Sequence, residues 1–156
     1  MYKINEEENM IDFEENFIRS KGQPIIIDGK KYHMFYSITV LSKTFVKIKF
    51  IRAISLPKQG VRFDADHLIE CMGVSNYSFN IWYNPDKKMQ EVEVFCAEAT
   101  TLQLRNIWDN GDGVVQSWNG GGAMIVDKKD NKLNFYCNST MANDQCLDCI
   151  FEVVMY

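Results

Sequence analysis

The sequence predicts a mainly β (α+β) fold: an antiparallel β-sandwich or partly open barrel with an N-terminal amphipathic helix and one short internal helix. Three observations predict it. Runs rich in Val, Ile, Phe and Tyr recur about every ten residues, the spacing of an all-β domain. The stretches between them are turn chemistry: Asp28-Gly29, Asn84-Pro85-Asp86, 109–113 (DNGDG), 119–122 (NGGG) and Asp130-Asn131. The crossover helices that parallel strands would need are missing.

In chain order, residues 6–21 come first. Met10, Phe13, Phe17 and Ile18 recur at helical spacing, acids crowd the first turns and Gly22 stands where a C-terminal cap belongs, which predicts one amphipathic helix. Residues 24–156 make the β-rich body. Pro24 imposes an extended lead into a short strand at 25–27, closed by the Asp28-Gly29 hairpin turn.

Residues 32–41 and 44–54 are two long strand patterns, joined through Ser42 and Lys43 as a hairpin. In the second, Val46, Ile48 and Phe50 alternate with Lys47 and Lys49. The first three should face a core and the lysines water, with Glu91 and Glu93 of a later strand across from them. Residues 57–63 read as a loop, and Asp64 or Asp66 as the cap of a short helix running through Cys71 to Gly73. Further strands are expected at 77–83, 89–98, 102–108, 114–118, 123–127, 133–138 and 146–156. No repeat, linker or low-complexity tract divides the chain, so 1–156 is one domain.

A chain of 156 residues that is 46% hydrophobic and 13% aromatic can bury a core and is no disordered segment. Its apolar runs fall far short of the ~20 residues of a membrane helix, so no membrane partner is expected. Glu6, Glu7 and Glu8 stand where a secretory leader would be basic, which makes a cytoplasmic location the expectation. Five cysteines are an odd number and read as reduced thiols in the core. Charge is uneven. Residues 1–27 carry six acids and three bases, 28–62 one acid and eight bases, and 63–156 fourteen acids and six bases, for a net −4. That asymmetry implies complementary faces within the fold or a surface patterned for a charged partner, and the net acidity weighs against nucleic acid.

Candidate chemistry is sparse. Cys146 and Cys149 have the spacing of a zinc or redox pair, but no second pair exists and only His33 and His67 could complete a site. His67 and Cys71 would share a face of the internal helix as base and nucleophile, with no nucleophile turn beside them. The 109–113 loop is dense in oxygen ligands, yet Gly120 stands where an EF-hand needs its glutamate. The glycines of 120–122 lack the lysine and helix of a phosphate loop. In the basic strand, Lys47 and Lys49 face away from Phe50, which argues against a stacking surface for nucleic acid. No metal, no cofactor and no catalytic group is assigned.

The residues that do gather are Trp108, Asp109, Asp112, Trp118 and Asn119, at the ends of two adjoining strands. If those strands pair, one loop end presents two indoles and two carboxylates. Glu8, Asp12 and Glu15 of the N-terminal segment add a second acidic patch. In size, acidity, lack of a catalytic constellation and these acids, the chain resembles the immunity proteins of bacterial toxin systems. The resemblance implies a non-catalytic protein that neutralises a partner toxin by occluding a basic site. The competing expectation is a barrel or sandwich that holds a small molecule in a cavity walled by Tyr36, Phe79, Trp82, Phe95 and Tyr136.

Overall fold

The structure is a computed structural model that describes residues 4–5, 10–88, 90–140 and 143–156. Strands β1 (Ile4–Asn5) and β2 (Met10–Ile11) form a two-stranded ladder, α1 (Phe13–Arg19) follows, and β3 (Ile25–Ile27) pairs with β4 (Lys30–Tyr32). The other ten strands make one sheet: β5 (Tyr36–Val40), β6 (Thr44–Ala53), β7 (Lys58–Cys71), β8 (Val74–Trp82), β9 (Gln90–Cys96), β10 (Thr100–Asp109), β11 (Val115–Ser117), β12 (Ala123–Lys129), β13 (Lys132–Asn138) and β14 (Cys149–Met155). The sheet is antiparallel and curls into a half-barrel. Its order is β11-β10-β7-β9-β6-β14-β13-β12, with β5 added on β10 and β8 on β7.

Strand β6 shows how the pattern fixes the register. Val46, Ile48 and Phe50 are buried, as the period of two requires, and Lys47 and Lys49 lie on the half-covered outer face. Lys47 stands opposite Glu93 and Lys49 opposite Glu91, the cross-strand pairing the sequence predicts. Lys47 Nζ sits 3.8 Å from Glu91 Oε2, and Lys132 Nζ 3.5 Å from Glu152 Oε2 on the same face. Lys30 with Asp144 and Arg62 with Asp64 likewise join the basic region to the acidic one, so part of the regional charge imbalance is answered within the fold.

Four expectations need correction. The N-terminal helix is shorter than 6–21. Ile11 already belongs to a strand, and Asp12 Oδ1 accepts the Glu15 amide at 3.0 Å, so the helix starts at Phe13. It also ends early, at Arg19 with Ser20 as its cap, and Gly22 closes the turn that follows: its amide bonds the Phe17 carbonyl while Lys21 and Gly22 take positive φ. The proposed hairpin of 32–41 with 44–54 does not form: β5 pairs with β10, because both sides of β6 are taken by β9 and β14.

The 57–63 loop and the short internal helix are both parts of β7. Its first half lies between β10 and β8, its last residues between β9 and β8, and the register slips between Asp64 and Ile69 where it changes neighbours. The helix-cap signals serve other purposes. Asp66 Oδ1 receives the Thr100 hydroxyl and, at 2.9 Å, the Thr101 amide. Gly73 with Met72 forms the positive-φ turn of the β7–β8 hairpin.

The main core lies inside the half-barrel, where Phe135 stacks on Phe151 with centroids 4.5 Å apart. A second, smaller core beneath α1 joins Ile11, Phe13, Phe17, Ile27, Tyr32, Ala123 and Cys146, with the Phe13 and Tyr32 rings 4.8 Å apart.

Candidate functional site

The end of β10 pairs with β11, setting Trp108 opposite Gln116 and Asp109 opposite Val115, so the two adjoining strands do form one loop end. The loop between them is held by its own carboxylates. Asp109 Oδ1 accepts the amides of Gly111 at 2.8 Å and Gly113 at 3.1 Å, and Asp112 Oδ1 accepts that of Val114 at 3.0 Å. These bonds order the loop and leave both carboxylates at its surface.

The two indoles part company. Trp108 is only 2% exposed, so the expectation that it anchors a partner is corrected: it is a core residue at the end of β10. Inward alternation sets it there, against a glycine. A Cβ on Gly122 would lie 2.7 Å from Trp108 Cη2 and 2.8 Å from the Trp118 Cα, which is why the turn after β11 is glycine at that point. Trp118 is half-buried at positive φ, and Asn119 Nδ2 bonds Gln116 Oε1 at 2.9 Å. Exposed Val114 and Val115 supply apolar surface that the tryptophan count overlooked.

The acids of α1 come to the same place. Glu14 Oε2 accepts the Gly120 amide at 3.0 Å, tying the helix to the turn that follows β11. Asp12 caps the helix, and Glu15 holds Arg19 at 2.7 Å one turn on. Glu8 lies outside the described residues. β11 is three residues long, so only about 10 Å of strand separates the Asp109–Asp112 loop from the Trp118–Asn119 turn and the helix against it. Sequence reasoning missed Glu14, the residue that joins the two patches. Its partner lies 106 positions away and nothing local announces it.

The other candidates are not assembled. Cys71 is buried in the main core, whereas His67 is exposed beside Asp66, at 3.4 Å, and Glu98, at 3.9 Å. The two lie on a strand and not on a helix, His67 in water and Cys71 in the core, so they do not form a pair. Two bonds to the charged form, from Thr100 above all and then from Thr101, hold the Asp66 carboxyl down at about 2. Cys137 and Cys149 are opposite one another on β13 and β14, with Cys146 nearby. Burial pushes the thiols of Cys146 and Cys149 up to about 12 and that of Cys137 well above its ordinary value, so all three are held as neutral core groups.

The aromatic residues proposed as cavity walls do not converge. Tyr36 packs edge-on to Phe135, Phe79 on Phe63, and Phe95 on Phe45, while Trp82 carries Lys58 Nζ 5.0 Å from its ring. Tyr136 leans on the smaller core. Phe50 faces inward, but Phe45 lies outward with Tyr156, over which Lys47 Nζ sits at 5.3 Å. Aromatic and basic groups thus share the outer face, because alternation within β6 puts Phe45 with Lys47 and Lys49. Comparison with known protein families, with curated proteins and with solved structures finds no match.

Proposed function

We propose that the chain is a non-catalytic binding protein of the immunity or inhibitor kind, which neutralises a basic partner protein by covering it with the surface built from α1 and the β10–β11 end. The hydrogen bond from Gly120 to Glu14 is the observation that carries this reading, because it brings acids from the two ends of the sequence to one place beside half-exposed Trp118 and the exposed valines. Flanking carboxylates speed encounter with a basic surface, and apolar anchors slow its release. The cytoplasm, where such partners act, is the proposed location.

The architecture belongs to the same reading. We take the half-barrel as a partly open barrel whose open sides are surface grooves, of about 290 Å³ between β5 and β12–β13 and about 500 Å³ between β8 and β9. The first is lined mainly by polar groups and the second by polar and apolar groups alike, and the proposed aromatic walls are spent on separate ring contacts, so the small-molecule reading has less support.

The test is affinity capture with the tagged full chain from its native host, followed by binding kinetics on what is captured. A basic protein should be retained at low salt and released as salt rises. Asp109→Lys with Asp112→Lys should slow its association about tenfold and flatten the salt dependence, whereas Trp118→Ala should mainly speed dissociation. Capture of no protein, together with a small molecule held through purification, would overturn the proposal.

A further inference from the structure

Among the strands of the sheet that keep an open side, β8 is unlike the rest. Strand β11 has three residues, β12 ends in Asp127, Lys128 and Lys129, and the five residues of β5 face a cleft with Lys128 and Leu133 across it. Strand β8 runs for nine residues, Val74-Ser-Asn-Tyr-Ser-Phe-Asn-Ile-Trp82, without a charge or a proline; among the described residues its one strand partner is β7, and at its last residue Gln90 Nε2 bonds the Trp82 carbonyl at 2.8 Å. A long, uncharged open edge is a template for another strand, and proteins that keep such edges free blunt them with Lys, Pro or brevity. None of those devices is present in β8. Its exposed residues are the uncharged Ser75, Asn76 and Asn80 and the apolar Val74 at 54% and Tyr77 at 52%, with Met72 exposed beside them in the hairpin turn.

We infer that β8 is the seam of a homodimer, in which the β8 strands of two copies pair antiparallel and continue the sheet across a two-fold axis. The sequence of the strand is self-complementary in that arrangement. With the axis at Ser78, Tyr77 meets Phe79 of the second copy, Asn76 meets Asn80, and Val74 meets Trp82, giving an aromatic pair, an amide pair and an apolar pair, each made twice. Two chains of net charge −4 repel, and this edge lets them meet without setting like charges opposite one another. The nearest charges on β7, Arg62 and Asp64, are joined to each other at 3.1 Å. The groove of about 500 Å³ beside Asn80, Ile81, Trp82 and Val92 gives room for the Val74 end of the second copy's strand. The Val74 end of the seam, at the Met72–Gly73 tip, is far from the proposed partner surface, whereas its Trp82 end comes within a strand of it: Trp82 stands opposite Gly60, Gly60 opposite Ile107, and Lys58 opposite Asp109.

Sedimentation of the untagged full chain over a concentration series tests this. The expected mass is near twice 18.1 kDa, and Asn76→Lys with Tyr77→Lys should weaken dimerisation about a hundredfold or more by setting unpaired charges opposite Asn80 and Phe79 of the second copy, twice over, with the circular dichroism of the sheet unchanged. Thr39→Lys on the open side of β5 should leave the dimer intact. A wild-type chain that stays at 18.1 kDa throughout overturns the inference, as does a dimer that survives the double lysine variant or is broken by Thr39→Lys. A monomer whose capture of a foreign protein is abolished by the β8 lysines would also overturn it, and would assign the edge to a partner's strand.

Discussion

The two packed regions of this chain do different work. The main core is built by alternation along central strands, each held on both sides, and its aromatic rings stack at fixed separations. The smaller core gathers residues from α1, β2, the β3–β4 hairpin, β12 and the loop of Cys146, elements that touch the sheet at its margin. The proposed binding surface rests on the smaller one, since Glu14 and the Phe17 that seats its helix belong to α1. The fold and the surface are thus secured separately, and a lesion in one need not disturb the other.

Truncating the centre of the sheet should show the larger effect. Phe50→Ala removes a ring that lies between Tyr83 and Phe151 and should cost about 3 to 5 kcal/mol in urea melts. A loss below about 1 kcal/mol would mean that β6 has a different register. Trp108→Ala belongs with it, at about 3 to 5 kcal/mol, because the indole is part of the fold.

Phe17→Ala should cost less overall and act locally: α1 becomes the first site of limited proteolysis and partner association falls, while the sheet melts almost as before. Equal loss of stability in Phe17→Ala and Phe50→Ala would erase the distinction between the two regions. Between these lies Gly122→Ala, about 1 to 3 kcal/mol, since the added methyl meets Trp118 backbone that cannot yield as a side chain would.

The smallest effect belongs to an exposed group. Asp66 has a carboxyl pKa lowered from 3.8 to about 2, so the native state favours its ionised form. Its contribution is fully present above pH 3.8 and is lost as pH falls through about 2. Asp66→Asn should remove that part of the acid dependence, and melts between these limits that superimpose on the wild type would show that the Thr100 and Thr101 bonds add nothing.

How legible all this is in sequence is best seen on two neighbouring strands. β6 keeps the same facing over its core residues, so period two in Val46, Ile48 and Phe50 translates directly into register and even into its glutamate partners. β7 changes neighbours midway, and the slip between Asp64 and Ile69 breaks the alternation just where Asp, His and Gly imitate helix caps. A local pattern cannot show which strand will lie beside a residue, and for the same reason the β5–β10 pairing and the Glu14–Gly120 bond were invisible. The turns were the most readable feature: Asp28-Gly29 has positive φ at both positions, as its chemistry requires. At the candidate site, residue types told where the loop was and not which indole faced out, because burial of Trp108 depends on a glycine fourteen positions away.

That change of neighbours along β7 also bears on how the molecule comes apart. A strand bonded to β10 over its first half and to β9 at its end belongs to both flanks of the sheet, so neither flank can detach while β7 keeps its place. Amide hydrogens of β9 and β10 should accordingly exchange through the same global opening and with the same denaturant dependence, as one cooperative unit, although the two strands share no ladder of their own.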